Sequence, residues 1–179
     1  MKKCIVILLV CVLLCGCTAG NLPETTEAVP TDTEAVETKV LAPDFTVYDL
    51  DGNEVKLSDF LGKPVVVNFW ASWCGPCKSE MPDFEEKYQE LGESVQFLMI
   101  NLTDGSGETL ESASSFIAQQ GYTFPVFYDT ASIAANTYGI RSIPTTFFID
   151  AEGCAIAQAT GAIDGETLQT GIDLIWEQP

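Results

Sequence analysis

The segment Val67-Asn68-Phe69-Trp70-Ala71-Ser72-Trp73-Cys74-Gly75-Pro76-Cys77-Lys78 joins two kinds of hydrophobic pattern. At its start, Pro64–Trp70 is a valine-rich apolar run, which is typical of a strand buried on both faces. At its end, Cys74–Leu91 carries apolar residues at helical spacing, namely Met81, Phe84, Tyr88 and Leu91. The segment therefore predicts a buried strand that turns directly into a helix, with two cysteines at the turn.

This position gives the two cysteines a chemical role. Backbone N–H groups and the helix dipole stabilise negative charge at a helix N-terminus, so the pKa of a cysteine there falls from about 8.5 into roughly the 3.5–7.5 range. Because the thiolate is the attacking species, we expect Cys74 to be the nucleophile. Cys77 lies three residues on, on the same helix face, and is expected to resolve the mixed disulfide. Pro76 is tolerated in a first helical turn.

Three other settings for a Cys-x-x-Cys pair are less favoured. A zinc site would need two further ligands, and without histidine only Cys154 and carboxylates could supply them. A c-type haem site has histidine directly after its second cysteine, where this chain has Lys78. A purely structural disulfide would close so small a loop that it constrains the unfolded chain little. We therefore expect a redox-active disulfide, with no metal and no other cofactor.

Charge and composition argue against several classes of function. Eight Lys and Arg stand against 26 Asp and Glu, giving a formal net charge of −18, and such a surface repels nucleic acid. The 179 residues include no histidine, which excludes Ser–His–Asp and Cys–His catalysis. The length suits one domain with short extensions.

Residues 1–16 have the pattern of a lipoprotein signal peptide. Two lysines precede the apolar run Ile5–Leu14, whose ten residues are too few to span a bilayer, since that takes about 20. Leu14-Cys15-Gly16-Cys17 then resembles a bacterial lipobox, in which the last cysteine receives diacylglycerol. We therefore expect a lipid anchor on Cys17 and a position on the extracytoplasmic face of the cell membrane. An ordinary secretory signal is the alternative.

Residues 17–40 are rich in threonine, proline and acidic residues and lack aromatic residues, which predicts a flexible tether. Residues 41–179 are then the folded domain. Only Cys74, Cys77 and Cys154 remain in it, too few for a disulfide scaffold. A close pair in an exported protein of this size indicates redox chemistry. Cys154 is expected to be a small buried thiol.

Strand-like and helix-like segments alternate along the domain. Asp51-Gly52-Asn53 signals a hairpin between two short strands. A helix is predicted over Gly107–Gln120, with Leu110, Ala113 and Ile117 on one face. Further helices are predicted at 132–138 and 165–176, and strands at 95–101, 124–129, 145–150 and 154–160. This alternation predicts an α/β domain in which helices cover both faces of a central sheet.

The segment quoted first resembles the active-site segment of thioredoxin-like proteins, and its surroundings resemble the membrane-tethered TlpA/ResA-like reductases. The matching motifs run in order through residues 42–163: Ala42-Pro43-Asp44-Phe45, Leu61-Gly62-Lys63, Glu80-Met81-Pro82, Phe124-Pro125-Val126, Tyr138-Gly139-Ile140 and Ile143-Pro144-Thr145-Thr146-Phe147. The resemblance implies a thioredoxin-like fold: a central mixed β-sheet flanked by helices, with an N-terminal β-hairpin and a helix inserted around residues 103–120.

The resemblance also implies how the substrate is held. The Ile143–Pro144 bond matches the family's cis-proline, which faces the cysteines and presents backbone to the substrate. Trp73, Gly75 and Pro76 flank the cysteines and are implied to contact the substrate as well.

Glu80 resembles a carboxylate that this branch carries one helical turn after the second cysteine. If it is partly buried, its pKa would rise toward the range useful for general acid–base catalysis. The alternative is a solvated glutamate stabilised by the helix dipole. Asn68 is a departure from cytoplasmic thioredoxins, which have a buried, proton-accepting aspartate at this position.

We therefore expect the Cys74/Cys77 pair to exchange two electrons with disulfides or thiols of exported proteins. The resemblance implies a reductase that a membrane thiol electron donor recharges, and we expect a monomer. Two alternatives remain. A peroxiredoxin-like thiol peroxidase shares Ala42-Pro43-Asp44-Phe45, although the residues before Cys74 lack the Pro-x-x-x-Thr-x-x-Cys context. A non-catalytic binding lipoprotein would keep only the fold.

Overall fold

The computed structural model describes residues 39–176, so the predicted signal peptide, Cys17 and most of the predicted tether lie outside the described residues. The first two described residues, Lys39 and Val40, already contact the folded domain. The Lys39 ammonium lies 2.8 Å from the Asp150 carboxylate, and the Val40 carbonyl accepts from the Ala155 N–H at 2.9 Å. Between residues 39 and 176, no helix is long and apolar enough to cross a membrane.

Seven strands form one mixed sheet in the centre of the domain. They are β1 (Thr46–Tyr48), β2 (Glu54–Lys56), β3 (Val65–Trp70), β4 (Gln96–Asn101), β5 (Val126–Tyr128), β6 (Thr145–Ile149) and β7 (Ala155–Thr160), in the spatial order β2-β1-β5-β4-β3-β6-β7. Strands β3, β4 and β5 are parallel, whereas β6, β7 and the β1–β2 hairpin pair antiparallel. The predicted mixed sheet and N-terminal hairpin are confirmed.

Strand β3 lies in the middle of the sheet, and all six of its residues are buried. Val66 and Trp70 contact one hydrophobic cluster while Val67 and Phe69 contact the other, as the alternation of side chains along a strand requires. The strand is apolar on both sides because helices or turns cover both faces of the sheet.

Helices on both faces form the outer layers. They are α1 (Gly75–Leu91), α2 (Leu110–Gln120), α3 (Ile133–Thr137) and α4 (Gly165–Ile175). Helices α1, α2 and α4 pack on one face of the sheet, and α3 packs on the other with the 3-10 turn Leu57–Phe60. Helix α2 is the helix predicted as the insertion, and it ends at Gly121, whose left-handed backbone (φ +73°) suits glycine.

Helix α2 begins at Leu110 rather than at the predicted Gly107, and only part of its predicted apolar face is buried. Leu110 is 40% exposed, whereas Ala113 is fully buried and Ile117 packs against the core, as predicted. Phe116, which was not predicted, packs there too, with its ring centre 5.9 Å from that of Trp70. Leu110 is the first residue of the helix and remains partly exposed, whereas Phe116 contributes an aromatic contact to the buried face.

The sheet brings the ends of two strands together at one edge. Strand β3 ends at Trp70, and its neighbour β6 begins at Thr145, which pairs with Phe69. The cysteine segment follows β3 directly, and Ile143–Pro144 precedes β6 directly. Residues far apart in sequence therefore meet at this edge, where α1 also begins.

Candidate active site

Cys74 and Cys77 form a disulfide at the start of helix α1, with their Cα atoms 5.3 Å apart. Cys74 is the N-cap residue, and its Sγ accepts a hydrogen bond from the Cys77 N–H at 3.2 Å. Pro76 lies in the first helical turn, as predicted. The described structure is thus the oxidised form, and after reduction the same N–H and the helix dipole stabilise a Cys74 thiolate.

The Ile143–Pro144 peptide bond is cis, as the family resemblance implied. Its position beside the cysteines is shown by the Ile143 carbonyl oxygen, which lies 3.8 Å from the Cys74 Sγ. On the other side, the Pro144 carbonyl accepts from the Gly161 N–H at 2.9 Å, which ties this segment to the end of β7. Pro144 is buried and Ile143 half-buried, so the segment presents one side to the cysteines and one to solvent.

The solvent-facing side of the site is a shallow groove of about 440 Å³. Trp73, Leu102, Ile140 and Ile143 supply its apolar walls, and Arg141 and Ser142 complete it. Trp73 is 62% exposed although it is a large aromatic residue, and Gly75 and Pro76 are exposed next to it. An exposed tryptophan beside a reactive sulfur is typical of a surface that binds another molecule.

Glu80 is 2% exposed, so the alternative of a solvated glutamate is wrong. Its Oε1 accepts from the Asn68 side-chain amide at 2.8 Å, and its Oε2 accepts from the Ile163 N–H at 3.0 Å. Burial raises the pKa of this carboxyl to about 7, although the two hydrogen bonds act in the opposite direction. A group with that pKa both releases and takes up a proton near neutral pH.

Asn68 connects Glu80 to the strand next to it. Its Nδ2 donates to Glu80 Oε1 and also to Thr146 Oγ1 on β6, at 3.0 Å. Its Oδ1 is buried and has no hydrogen-bond partner among residues 39–176. An amide does not take up a proton at neutral pH, so in this pair of side chains only the Glu80 carboxyl can titrate there.

A second buried carboxyl lies near the site and was missed by the sequence analysis. Glu108 is 1% exposed, and it accepts from the Ser72 hydroxyl at 2.9 Å and from the Asn101 side-chain amide at 3.1 Å. It thereby joins the segment before Cys74 to the end of β4 and to the loop that precedes α2. No local pattern marks Glu108, because it follows a Gly/Ser-rich stretch that predicts an exposed loop.

Cys154 is buried, as predicted, and lies away from the cysteine pair. It follows β6 beyond Ile149, which pairs with Val65, whereas the disulfide follows the opposite end of β3. Its N–H donates to Asp150 at 2.8 Å. The structure thus brings together every predicted site residue from Trp73 to Glu80 with Ile143 and Pro144, and it separates Cys154 from them.

Comparisons with known proteins agree with this geometry. Residues 39–157 match the model of the AhpC/TSA family. The thiol-disulfide oxidoreductase ResA of Geobacillus thermodenitrificans is 37% identical over 148 residues, which cover 81% of this chain and 82% of that protein.

Two solved structures of the thioredoxin type are similar as well. A putative thiol:disulfide interchange protein DsbE from Chlorobium tepidum superposes with a TM-score of 0.66 at 34% identity, covering 75% of this chain and 94% of that one. The exposed lipoprotein thioredoxin Etrx1 of Streptococcus pneumoniae gives a TM-score of 0.62 at 36% identity, covering 74% and 100%. The predicted thioredoxin-like fold is thereby confirmed.

Proposed function

The chain belongs to the AhpC/TSA family and is a thiol–disulfide oxidoreductase related to ResA, and on that basis we propose that it reduces disulfides of exported proteins at a membrane surface. The observation that carries the proposal is the Cys74–Cys77 disulfide, which caps a helix and lies 3.8 Å from the carbonyl of the residue before a cis-proline. The dithiol–disulfide cycle of this pair transfers two electrons and needs no other redox group.

The reaction starts from the reduced pair. The Cys74 thiolate attacks one sulfur of the substrate disulfide, so that a mixed disulfide forms and the other substrate sulfur leaves as a thiolate. Cys77 then loses its proton and attacks the Cys74 sulfur, which releases the second substrate thiolate and leaves the Cys74–Cys77 bond. The substrate gains two electrons, and a thiol donor at the membrane returns the pair to the dithiol.

Glu80 takes the proton that Cys77 must lose. It lies three residues after Cys77 on α1, on the same side of the helix, and its pKa of about 7 suits acceptance from a thiol near neutral pH. Asn68 and the Ile163 N–H hold the carboxyl in place. These contacts support a general acid–base role for Glu80, and the groove walls Trp73 and Ile143 are the proposed substrate contacts.

The reducing direction is supported by the small number of contacts that would stabilise the Cys74 thiolate. Strong disulfide-forming oxidases owe their high potential to a stabilised reduced form. Here the Cys74 sulfur has one N–H donor among the described residues, and its other polar neighbour is a carbonyl oxygen, which does not stabilise negative charge. Pro76 has no N–H to offer, and the chain has no histidine.

The reduction potential of the pair tests this direction. Equilibration against glutathione or dithiothreitol buffers should give a value near that of thioredoxin, about −270 mV, and Cys74→Ser should abolish disulfide reduction. A value near −120 mV, as in a strong oxidase, would instead mean that the protein makes disulfides. Full cellular function of Cys74→Ser, in the absence of disulfide reduction, would favour the alternative of a non-catalytic binding lipoprotein.

Attachment to the membrane through a lipid on Cys17 is the second part of the proposal. Its support is the lipobox-like Leu14-Cys15-Gly16-Cys17 and the similarity to a solved structure that is named a lipoprotein. Mass spectrometry of the mature N-terminus should find a diacylglyceryl group on Cys17, and Cys17→Ala should shift the protein from the membrane to the soluble fraction. An unmodified N-terminus with the same membrane fraction would contradict the anchor.

A thiol peroxidase is the alternative that the family match keeps open. The residues before Cys74 argue against it, because Val67 and Ala71 stand where the peroxidatic context would have proline and threonine. Peroxide consumption measured with the reduced protein alone should stay at the background rate. A rate that depends on Cys74 and not on Cys77 would favour the peroxidase.

A further inference from the structure

The chain has a single arginine, Arg141, and this arginine lies on the groove beside the cysteines. It is exposed and stands three residues before the cis-proline, next to the apolar walls formed by Trp73, Leu102 and Ile143. No hydrogen bond or ion pair engages its guanidinium among residues 39–176. Arg141 is therefore available to a bound molecule.

Among residues 39–176, Arg141 is the one cation that lines this groove, because Lys56 and Lys78, which also lack an ion pair, do not line it. The protein carries a formal charge of −18, and several of its few lysines contact oxygens of the chain itself. Lys39 pairs with Asp150, Lys87 lies 2.9 Å from Glu90, and Lys63 donates to the carbonyl of residue 93 at 2.7 Å. In contrast, the lone arginine faces the reactive groove.

We propose that Arg141 selects substrate segments that carry a carboxylate close to the reacting cysteine, so the class of substrate is an acidic, partly apolar peptide segment. This proposal rests on the proposed disulfide reduction. A substrate cysteine that reaches the Cys74 sulfur must pass the Ile143 carbonyl, which lies 3.8 Å from it. Arg141 is two residues from Ile143, and two extended residues span about 7 Å.

The guanidinium is suited to this selection because it binds a carboxylate with two parallel hydrogen bonds. Because about 7 Å of extended chain separates Arg141 from Ile143, we expect the substrate carboxylate two or three residues from the substrate cysteine. Trp73 and Ile143 would cover the apolar residues between the two points. The overall negative charge acts against acidic substrates at long range, but it is screened beyond about 10 Å at moderate salt, whereas the contact with Arg141 is direct.

The test compares matched peptides. Each decapeptide has one cysteine activated as a neutral 2-pyridyl disulfide, and the members of a pair differ only by Asp or Asn at one position within three residues of that cysteine. Release of thiopyridone in a single reaction of the reduced full chain gives the second-order rate constant for attack on each peptide. The wild type should prefer the best Asp peptide over its Asn partner by about two- to five-fold, the range of one exposed ion pair, and 0.5 M salt should reduce the preference.

Variants of the protein then test whether Arg141 causes the preference for the Asp peptide. Arg141→Gln should bring the Asp/Asn ratio to about 1 and Arg141→Glu should invert it. Lys63→Gln is the matched control, because it removes a cation from the opposite end of β3 and should leave the ratio unchanged. Equal rates for every pair in the wild type, or an equal loss for both peptides in Arg141→Gln, would overturn the proposal. Absence of Cys74-dependent release from all peptides would instead overturn the proposed disulfide reduction.

Discussion

Relative to the wild type, Glu80→Gln should be more stable at pH 8 than at pH 5. The same substitution should slow catalysis. Burial raises the pKa of Glu80 to about 7 from an unperturbed 4.5. The folded state therefore binds more protons than the unfolded state between these values, and the free energy of unfolding falls as pH rises through this window. The full cost well above pH 7 is about 3 kcal/mol, and most of it develops between pH 5 and pH 8.

The glutamine variant has no charge to bury, so this cost should disappear. Its side-chain oxygen keeps the Ile163 N–H as donor. Its amide nitrogen takes the place of the oxygen that accepts from Asn68 Nδ2, so the Asn68 amide must rotate to present its Oδ1, which is without a partner among the described residues. Urea unfolding of the oxidised forms at pH 5 and pH 8 measures the difference. The wild type should lose about 2–3 kcal/mol more than Glu80→Gln between the two pH values. Equal losses in both proteins would refute a buried carboxyl with a raised pKa.

Catalysis tests the same residue independently. Without a proton acceptor near Cys77, the mixed disulfide should resolve about 10²-fold more slowly, at the lower end of the range for general acid–base catalysis. Quenched-flow sampling and mass spectrometry should show the Cys74–substrate adduct accumulating in Glu80→Gln. Glu80→Asp should restore part of the rate. Unchanged resolution in a stable variant would show that the buried carboxyl has no role in proton transfer.

Three further substitutions probe the remainder of the fold. Burial raises the pKa of Glu85, but hydrogen bonds from the Thr123 hydroxyl, the Thr123 and Phe124 N–H groups and the Gln89 amide lower it on balance. Its stabilisation should be present above about pH 4.5 and lost as pH falls through the lowered pKa. Glu85→Gln should therefore cost about 1–3 kcal/mol at pH 7 and less in acid, as urea unfolding at both pH values will measure, and an equal cost at both would contradict the lowered pKa. Gly171→Ala places a methyl group against the buried Phe148 ring and should lower the free energy of unfolding by about 1–3 kcal/mol, despite the better helix propensity of alanine. An unchanged midpoint of urea unfolding would contradict this packing. Cys154→Ala should leave the reduction potential and kcat/KM unchanged, because this thiol lies away from the active disulfide, and a shift in either value would reveal a redox role for it.

The local elements of the active site could be predicted because their signals are local. A valine-rich run must be a buried strand, and apolar residues at helical spacing must lie on one face of a helix, so the position of Cys74 between them follows from the chain alone. The family resemblance added the cis bond before Pro144. Both expectations agree with the structure, which places the disulfide and the cis-proline side by side.

Other features depend on which distant segments meet. The sequence left Glu80 open between a solvated and a buried group, and only the packing of α1 on β3 and on the segment at Ile163 makes it a buried acid. In the same way, Leu110 fits the helical pattern of α2 but is exposed, because Phe116 occupies the contact with the core.

By itself, the sequence determined the order of strands and helices, the redox pair and the absence of histidine chemistry, because hydrophobic periodicity and residue type are properties of neighbours along the chain. Only the tertiary structure decided the burial that raises the pKa of Glu80, the burial of Glu108 and the position of Arg141 on the groove beside the cysteines. Each of these depends on solvent exclusion and on contacts between residues that are far apart in sequence, and the sheet brings those residues together only when the chain is folded.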